Sequence, residues 1–203
     1  EELCFLYLFS GPEDDDHNLR QHLEKLGATV VMVDILIDKV NGDLCDDMVW
    51  APILADIKKG KYHGCIMSPP CSTFSKSLRV DEGEVRCPTA YRSEKPPGIY
   101  GLKGLEPSDK ERVRQHTLCA LRSVEAAQAF LSLTSSGDAP LPWAIETPKM
   151  ADGLPSLHKL PEVAALLADA RVELSNRVQC YSGAATPKPT GFLGTMKLKA
   201  VPE

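Results

Sequence analysis

Short hydrophobic runs alternate along the chain with stretches in which apolar residues recur every three or four positions. Residues 3–9 form an unbroken apolar run that is closed by Ser10-Gly11-Pro12, and residues 29–33 form a second run rich in β-branched side chains. Between them, residues 17–26 repeat leucine at helical spacing before a glycine. This order predicts a strand, a helix and a second strand that pairs in parallel with the first.

The same alternation continues to residue 194. Further helices are predicted over 47–59, 108–133 and 161–170, and further strands over 65–67, 142–146, 172–179 and 191–194. Ser108 to Glu111 has the spacing of a capping box, which starts the longest helix at Ser108. Residues 72–107 show little periodicity and are interpreted as a long functional loop. We therefore expect an α/β fold with a mostly parallel open sheet, helices on both faces and a C-terminal hairpin.

Composition places the chain among folded proteins. Of its 203 residues, 43% are hydrophobic and 25% are charged, which suits one domain spanning 1–203. No apolar run approaches the roughly 18 residues of a membrane span, and the opening glutamates are unlike a signal peptide. Seven cysteines, none in pairs with the two-residue gap of zinc ligands, indicate an intracellular, reducing compartment and no metal site.

Charge is distributed unevenly. Residues 1–56 hold 13 acidic and 3 basic side chains, whereas residues 57–203 hold 15 acidic and 20 basic ones. The basic residues are densest between Lys58 and Arg122. They form either an ordinary solvated surface or a face that meets a polyanion, and charge alone leaves both interpretations open.

Polar residues collect where the predicted strands end. In open α/β sheets ligands bind at the carboxyl ends of the strands, and Ser10-Gly11, Asp34, Cys71 and Glu146 all fall there. A tight turn after Phe9 lets backbone amides approach a ligand, and Asp34 suits a ribose diol. An acid in that place also caps helices, so both roles stay open for Asp34. Together these residues suggest a nucleoside-containing cofactor.

The segment from Ser68 to Ser75 has a different character. Two prolines fix the backbone beside the thiol of Cys71, and hydroxyl groups follow it. This combination presents a nucleophile rigidly at the exit of a strand. The alternative is that Cys71 is a small buried hydrophobic residue, as cysteines often are.

Pro69-Pro70-Cys71, followed by Phe74-Ser75, resembles the catalytic motif of DNA cytosine-5 methyltransferases. Further motifs resemble that family in the same order: Phe9-Ser10-Gly11, Asp34, Gly42-Asp43-Leu44, Ile145-Glu146-Thr147-Pro148-Lys149 and Pro187-Lys188-Pro189-Thr190. The resemblance covers about residues 3–194. It is closest to a compact, divergent branch of methylase-like domains found in phages and retroelements.

The resemblance implies a Rossmann-like fold that binds S-adenosylmethionine and methylates C5 of cytosine in DNA through a covalent cysteine adduct. The implied catalytic residues are Cys71, Glu146 and Lys188. The implied cofactor-binding residues are Phe9, Ser10, Gly11, Asp34, Ile35, Asp43, Leu44 and Pro69. Asp43 is preferred to Asp56 as the adenine contact, since Asp56 should lie inside a helix. Contacts to DNA are expected from Ser75, Arg79, Arg92 and Lys95, and the protein would be nuclear in a eukaryote.

Two alternatives stay open beside this hypothesis. Pro12 and the acids after it depart from the family's glycine-rich first motif, and Thr147 and Pro187 replace an expected Asn and Arg. These departures favour a catalytically inactive module that binds nucleic acid or a protein. The other alternative keeps the chemistry and acts on RNA or a nucleotide. Because no target-recognition domain follows residue 194, we expect sequence specificity to come from a partner domain or a missing segment.

Overall fold

The computed structural model describes residues 2–13, 19–74, 91–135, 137–149, 153–178 and 189–196. Its strands are β1 (Cys4–Leu8), β2 (Thr29–Val33), β3 (Gly64–Met67), β4 (Trp143–Pro148), β5 (Glu173–Val178) and β6 (Pro189–Gly194). Its α-helices are α1 (Leu19–Lys25), α2 (Asp47–Lys58), α3 (Pro107–Ser132) and α4 (Pro161–Leu167). Each of these elements lies within two or three residues of a predicted one.

The strands form one open sheet in the order β2-β1-β3-β4-β6-β5. The pairs β1–β2, β1–β3 and β3–β4 are parallel, which confirms the mostly parallel sheet. Strand β6 runs antiparallel to both β4 and β5, which confirms the antiparallel hairpin at the end of the fold. Strands β1 to β5 therefore all point the same way, and β6 alone is reversed between two of them.

Alternation along the strands explains where the core lies. Every second residue from β1 through β3 to β4 faces the same side of the sheet, and these side chains are fully buried: Leu6, Leu8, Cys65, Met67, Trp143 and Ile145. Helix α3 covers this face with small residues around Phe130, and α3 also packs against α2 and α4. Because β2 and β3 lie on opposite sides of β1, the connection through α1 and the connection through α2 run in opposite directions along the sheet. Crossovers between parallel strands are right-handed, so α1 lies on the opposite face of the sheet.

The start of α3 differs from the capping-box prediction. The helix begins at Pro107, and Glu106 is its N-cap without a side-chain hydrogen bond. Proline lacks an amide hydrogen and has a helical φ, so it suits the first turn and extends the helix one residue before Ser108. Ser108 is therefore inside the first turn, and the expected capping box is wrong.

Candidate functional site

The loop after β1 is tied to the loop after β2 through one carboxylate. Phe9 has a positive φ of 56° and donates its amide hydrogen to the Val33 carbonyl at 2.9 Å. The chain then turns at Gly11, whose φ is 78° and whose N–H donates to Asp34 Oδ2 at 2.9 Å. Asp34 Oδ1 accepts from the Leu36 amide at 2.8 Å. A carboxylate offers about four acceptor positions, and the described residues use two of those on Asp34, so two can serve a ligand.

Gly42 brings a second carboxylate close to the first. A Cβ at this position would overlap the carbonyl oxygen of Asp34, so only glycine allows the two backbone segments to approach. The next residue, Asp43, accepts the Cys45 amide on Oδ1 at 2.9 Å, and Leu44 is buried beneath it. The sequence Gly-Asp-Leu thus fixes both an acidic and an apolar side chain beside Asp34.

These loops and α3 enclose a cavity of about 400 Å³. It is lined by Phe9, Gly11, Asp34, Ile35, Leu36, Gly42, Asp43, Leu44, Cys45, Ser68, Pro70, Gln115, His116 and Cys119. Among the residues that the structure describes, this lining contains two carboxylates, many apolar groups and neither lysine nor arginine. A volume of this size is typical of small-molecule sites, and the charge favours a neutral or cationic ligand over a phosphorylated one.

Six of the residues predicted to bind the cofactor line this cavity: Phe9, Gly11, Asp34, Ile35, Asp43 and Leu44. The other two predicted residues do not. Ser10 donates from Oγ to the Gly11 carbonyl at 3.2 Å, and Pro69 is buried while its neighbours Ser68 and Pro70 reach the cavity. Asp56 is also outside it, because it lies in α2 and forms an ion pair with Lys61 at 2.6 Å.

The segment carrying Cys71 leaves the sheet beside β4. Ser68 donates its amide hydrogen to the Leu8 carbonyl at 3.1 Å, and its Oγ donates to Glu146 Oε2 at 3.1 Å. Three residues later the Cys71 carbonyl accepts the Phe74 amide at 2.8 Å, within a short 3₁₀ helix over Ser72–Phe74. The Cys71 thiol is half-buried. The thiol loop and the carboxylate are therefore neighbours on adjacent parallel strands.

Strand pairing accounts for the place of Glu146. Met67 is in register with Ile145, so the residues that follow them, Ser68 and Glu146, lie side by side. On the other side, Glu146 pairs with Phe192 of the reversed strand β6. The backbone of Glu146 is thus held from both sides, which fixes its carboxylate at the edge of the sheet where the thiol loop begins.

Arg92 does not have the role expected of it. Its side chain is 1% exposed, and the guanidinium lies 3.7 Å above the ring of Phe74. It donates to the carbonyls of Ile99 and Val113 and to Thr73 Oγ1. Burial lowers its pKa to about 10, so it stays charged at neutral pH. A guanidinium enclosed in this way does not reach a nucleic-acid backbone, and the predicted DNA contact of Arg92 is wrong.

Residues 91–106, the second half of the predicted long loop, are anchored to the short helix that ends at Lys159 and to α4. Glu94 forms an ion pair with Lys159 at 2.6 Å, and Tyr100 donates to the Glu162 carboxylate at 2.9 Å. Lys95 lies between these anchors with its side chain exposed, which keeps it available to a charged partner. The predicted catalytic residue Lys188 and the predicted DNA contacts Ser75 and Arg79 lie outside the described residues.

Sequence reasoning missed the part of the cavity that α3 contributes. His116 and Cys119 face the cavity from adjacent turns of the helix, and Cys119 Sγ lies 3.6 Å from Cys45 Sγ. His116 Nδ1 lies 3.2 Å from Thr73 Oγ1. The spacing of three residues did place both side chains on one face of a predicted helix. Helical spacing does not indicate which loop that face contacts.

Comparison with protein-family models, curated proteins and solved structures finds no match to this chain. Among the helices that the structure describes, none is long and apolar enough to cross a membrane. The function is therefore inferred from the site itself: an acidic, largely apolar cavity beside a thiol loop and a carboxylate.

Proposed function

We propose that this protein transfers a methyl group from S-adenosylmethionine to C5 of cytosine in DNA through a covalent adduct with Cys71. One observation carries the proposal: the loop bearing Cys71 begins beside Glu146 and next to the cavity that contains Asp34 and Asp43. The resemblance of the Pro-Pro-Cys segment and the mostly parallel sheet with its reversed last strand support the same conclusion.

The chemistry of the cavity suits this cofactor. The ribose hydroxyls and the adenine amino group are hydrogen-bond donors, and the carboxylates of Asp34 and Asp43 are acceptors. The apolar side chains of Phe9, Ile35 and Leu44 offer contact to a flat base. A sulfonium group is cationic, and the described part of the lining holds no lysine or arginine to repel it. When bound, S-adenosylmethionine supplies an electrophilic methyl group.

The residues of the chain would activate the base. The Cys71 thiolate adds to C6 of cytosine, forming an Sγ–C6 bond and making C5 electron-rich. The Glu146 carboxylate accepts a hydrogen bond from the N4 amino group and from N3, which takes up a proton from solvent as the thiolate adds. Ser68 Oγ donates to the same carboxylate and holds it in place. The methyl group would bond to C5 as its bond to the sulfonium breaks, with S-adenosylhomocysteine as the leaving group. The C5 and N3 protons then pass to solvent, the C5–C6 double bond re-forms, and the Sγ–C6 bond breaks to return the Cys71 thiolate. Because C6 is shielded in a stacked duplex, the base must first be flipped out, at a cost of a few kcal/mol.

One specific observation favours a second candidate. The Gly11 amide, which the first motif would offer to a ligand carboxylate, donates instead to Asp34, and Pro12 has no amide hydrogen to offer. A protein that has lost cofactor binding in this way would act as a nucleic-acid binding module, with Lys95 on its exposed loop. The two candidates differ in whether the cavity binds S-adenosylmethionine.

Calorimetric titration with S-adenosylmethionine and S-adenosylhomocysteine separates them. The methyltransferase proposal expects micromolar binding that weakens about tenfold in Asp43→Asn, which keeps the shape of the side chain and removes its charge. Absence of binding to both compounds, together with retained DNA affinity, would establish the second candidate instead.

Transfer is then measured with radiolabelled S-adenosylmethionine on DNA, RNA and free cytidine nucleotides. Cys71→Ser should abolish incorporation while the circular dichroism spectrum stays unchanged. Cys4→Ser is the matched control, because Cys4 is a half-buried thiol at the opposite end of the parallel strands. Unchanged incorporation by Cys71→Ser would reject the covalent mechanism, and preference for RNA or nucleotides would change the substrate class.

A further inference from the structure

His116 lines the cavity, and the buried side chains of Thr73 and Arg92 hold its ring in place. Its Nδ1 lies 3.2 Å from Thr73 Oγ1. Arg92 reaches that same oxygen with two N–H groups, from Nε at 3.1 Å and from Nη2 at 3.0 Å. Thr73 and Arg92 are both buried, so the protein rather than solvent determines how these groups pair.

This arrangement fixes the tautomer of His116. A hydroxyl group has two acceptor positions and one hydrogen, whereas a guanidinium can only donate. The two N–H groups of Arg92 fill the acceptor positions of Thr73 Oγ1. The remaining hydroxyl hydrogen is therefore donated to Nδ1, which must be unprotonated. In a neutral imidazole the hydrogen then resides on Nε2.

The ring is neutral at physiological pH. Burial, helped by the positive charges of Arg92 and Arg112, lowers the pKa of His116 to about 4. Among the described residues Nε2 has no hydrogen-bond partner, and Nδ1 is already taken by Thr73. Because His116 lines the cavity, Nε2 is the ring nitrogen left for whatever binds there.

We propose that His116 is a nucleoside-binding residue whose Nε2–H donates a hydrogen bond to an acceptor atom of the bound nucleoside. The inference rests on the proposed function in that the ligand is an adenosyl compound. Asp34 and Asp43 accept hydrogen bonds from amino and hydroxyl groups, and His116 complements them by donating. Adenosine carries both kinds of group, since its ring nitrogens and ribose oxygens are acceptors.

Thr73 and His116 also connect the cavity with the loop that carries Cys71. Thr73 lies two residues after Cys71, within the 3₁₀ helix that the Cys71 carbonyl helps to start. A ligand that engages His116 therefore acts on the segment that positions the thiol. Arg92 and Thr73 are positioning residues in this scheme, and His116 is the group that touches the ligand.

Nitrogen-15 NMR of the histidine rings tests the proposal in the full chain, with adenosine as the probe. At pH 7, long-range correlations should show His116 protonated on Nε2, and adenosine should shift the Nε2 resonance. Thr73→Val removes the hydroxyl at constant shape and should weaken adenosine binding about fivefold, the equivalent of one neutral hydrogen bond. Thr73→Ser keeps the hydroxyl and should bind within about twofold of the wild type.

Three results would overturn the inference: an Nδ1-protonated ring, an Nε2 resonance that bound adenosine leaves unmoved, or no adenosine binding by the wild type. Its failure is distinguishable from failure of the proposed function. Methyl transfer with an unresponsive His116 rejects the inference alone. A responsive His116 without any methyl transfer rejects the enzyme and retains a nucleoside site.

Discussion

Acid should destabilise this fold through His158, whose imidazole ring is buried. The side chain is 4% exposed, and among the described residues neither of its ring nitrogens has a hydrogen-bond partner. It packs against β6, where a Cβ on Gly191 would lie 3.1 Å from its Nε2. Burial of the ring disfavours the charged form and lowers the pKa of His158 to about 4.

The direction and size of the effect follow from linkage. An unfolded histidine titrates near pH 6.5, so between pH 6.5 and 4 the unfolded chain binds a proton that the folded chain does not. The stability contributed by the neutral ring is present above pH 6.5 and is lost as the pH falls toward 4. A difference of about 2.5 pKa units corresponds to about 3 kcal/mol of unfolding free energy at pH 4.

Urea denaturation at pH 7, 6, 5 and 4 measures this loss. His158→Leu introduces an apolar side chain of similar size and removes the titrating group, so its free energy of unfolding relative to the wild type should rise by about 3 kcal/mol from pH 7 to pH 4. Val163→Ala, a buried substitution in nearby α4, provides a destabilised variant without a titrating group. If the difference between His158→Leu and the wild type is constant with pH, the reasoning is refuted.

Three further outcomes are expected. Gly194→Ala should lower the free energy of unfolding in urea by about 3 kcal/mol, because the new Cβ would overlap the backbone of the neighbouring strand. Gly137→Ala is the control and should leave this free energy unchanged, because a Cβ at Gly137 has open space around it. Arg92→Met should cost about 3 kcal/mol by removing the buried hydrogen bonds that Arg92 donates to two carbonyls and to Thr73 Oγ1, and a loss under 1 kcal/mol would contradict this. Treatment with diamide, a thiol oxidant, should join Cys45 to Cys119, as mass spectrometry of unreduced peptides would show; another pairing would argue against their contact.

Much of the fold was predictable because strands and helices have different hydrophobic periods. Each predicted strand has an observed counterpart, since its apolar run is short and bounded by turn residues. The start of α3 was not predicted, because Ser108 and Glu111 match a capping pattern that the preceding proline overrides. Local patterns compete in such places, and sequence spacing does not show which one prevails.

Some residues of the candidate site were also predictable from the sequence, and others were not. Asp34 directly follows β2, and its place at the common edge of the parallel strands was predictable from the strand pattern. Asp43 lies ten residues after β2, and only its resemblance to a family motif placed it near Asp34. Arg92 was misassigned because a buried arginine and a surface arginine look alike in sequence, and only the acceptors around it distinguish them. The contact between Cys45 and Cys119 spans 74 residues, a separation across which no periodicity carries information.

The position of β6 has a consequence for how the chain is made. This strand is the last of the sheet in sequence, yet it lies between β4 and β5 and supplies the sheet neighbours of both. During synthesis, β1 to β4 can pair as soon as they emerge, whereas β5 has no strand to join until residues 189–194 have been made. Until that moment Glu146 lies on an open strand edge, the kind of surface that joins other chains. Pairing of β5 and coverage of the backbone edge beside Glu146 therefore occur together, as a single late event in folding.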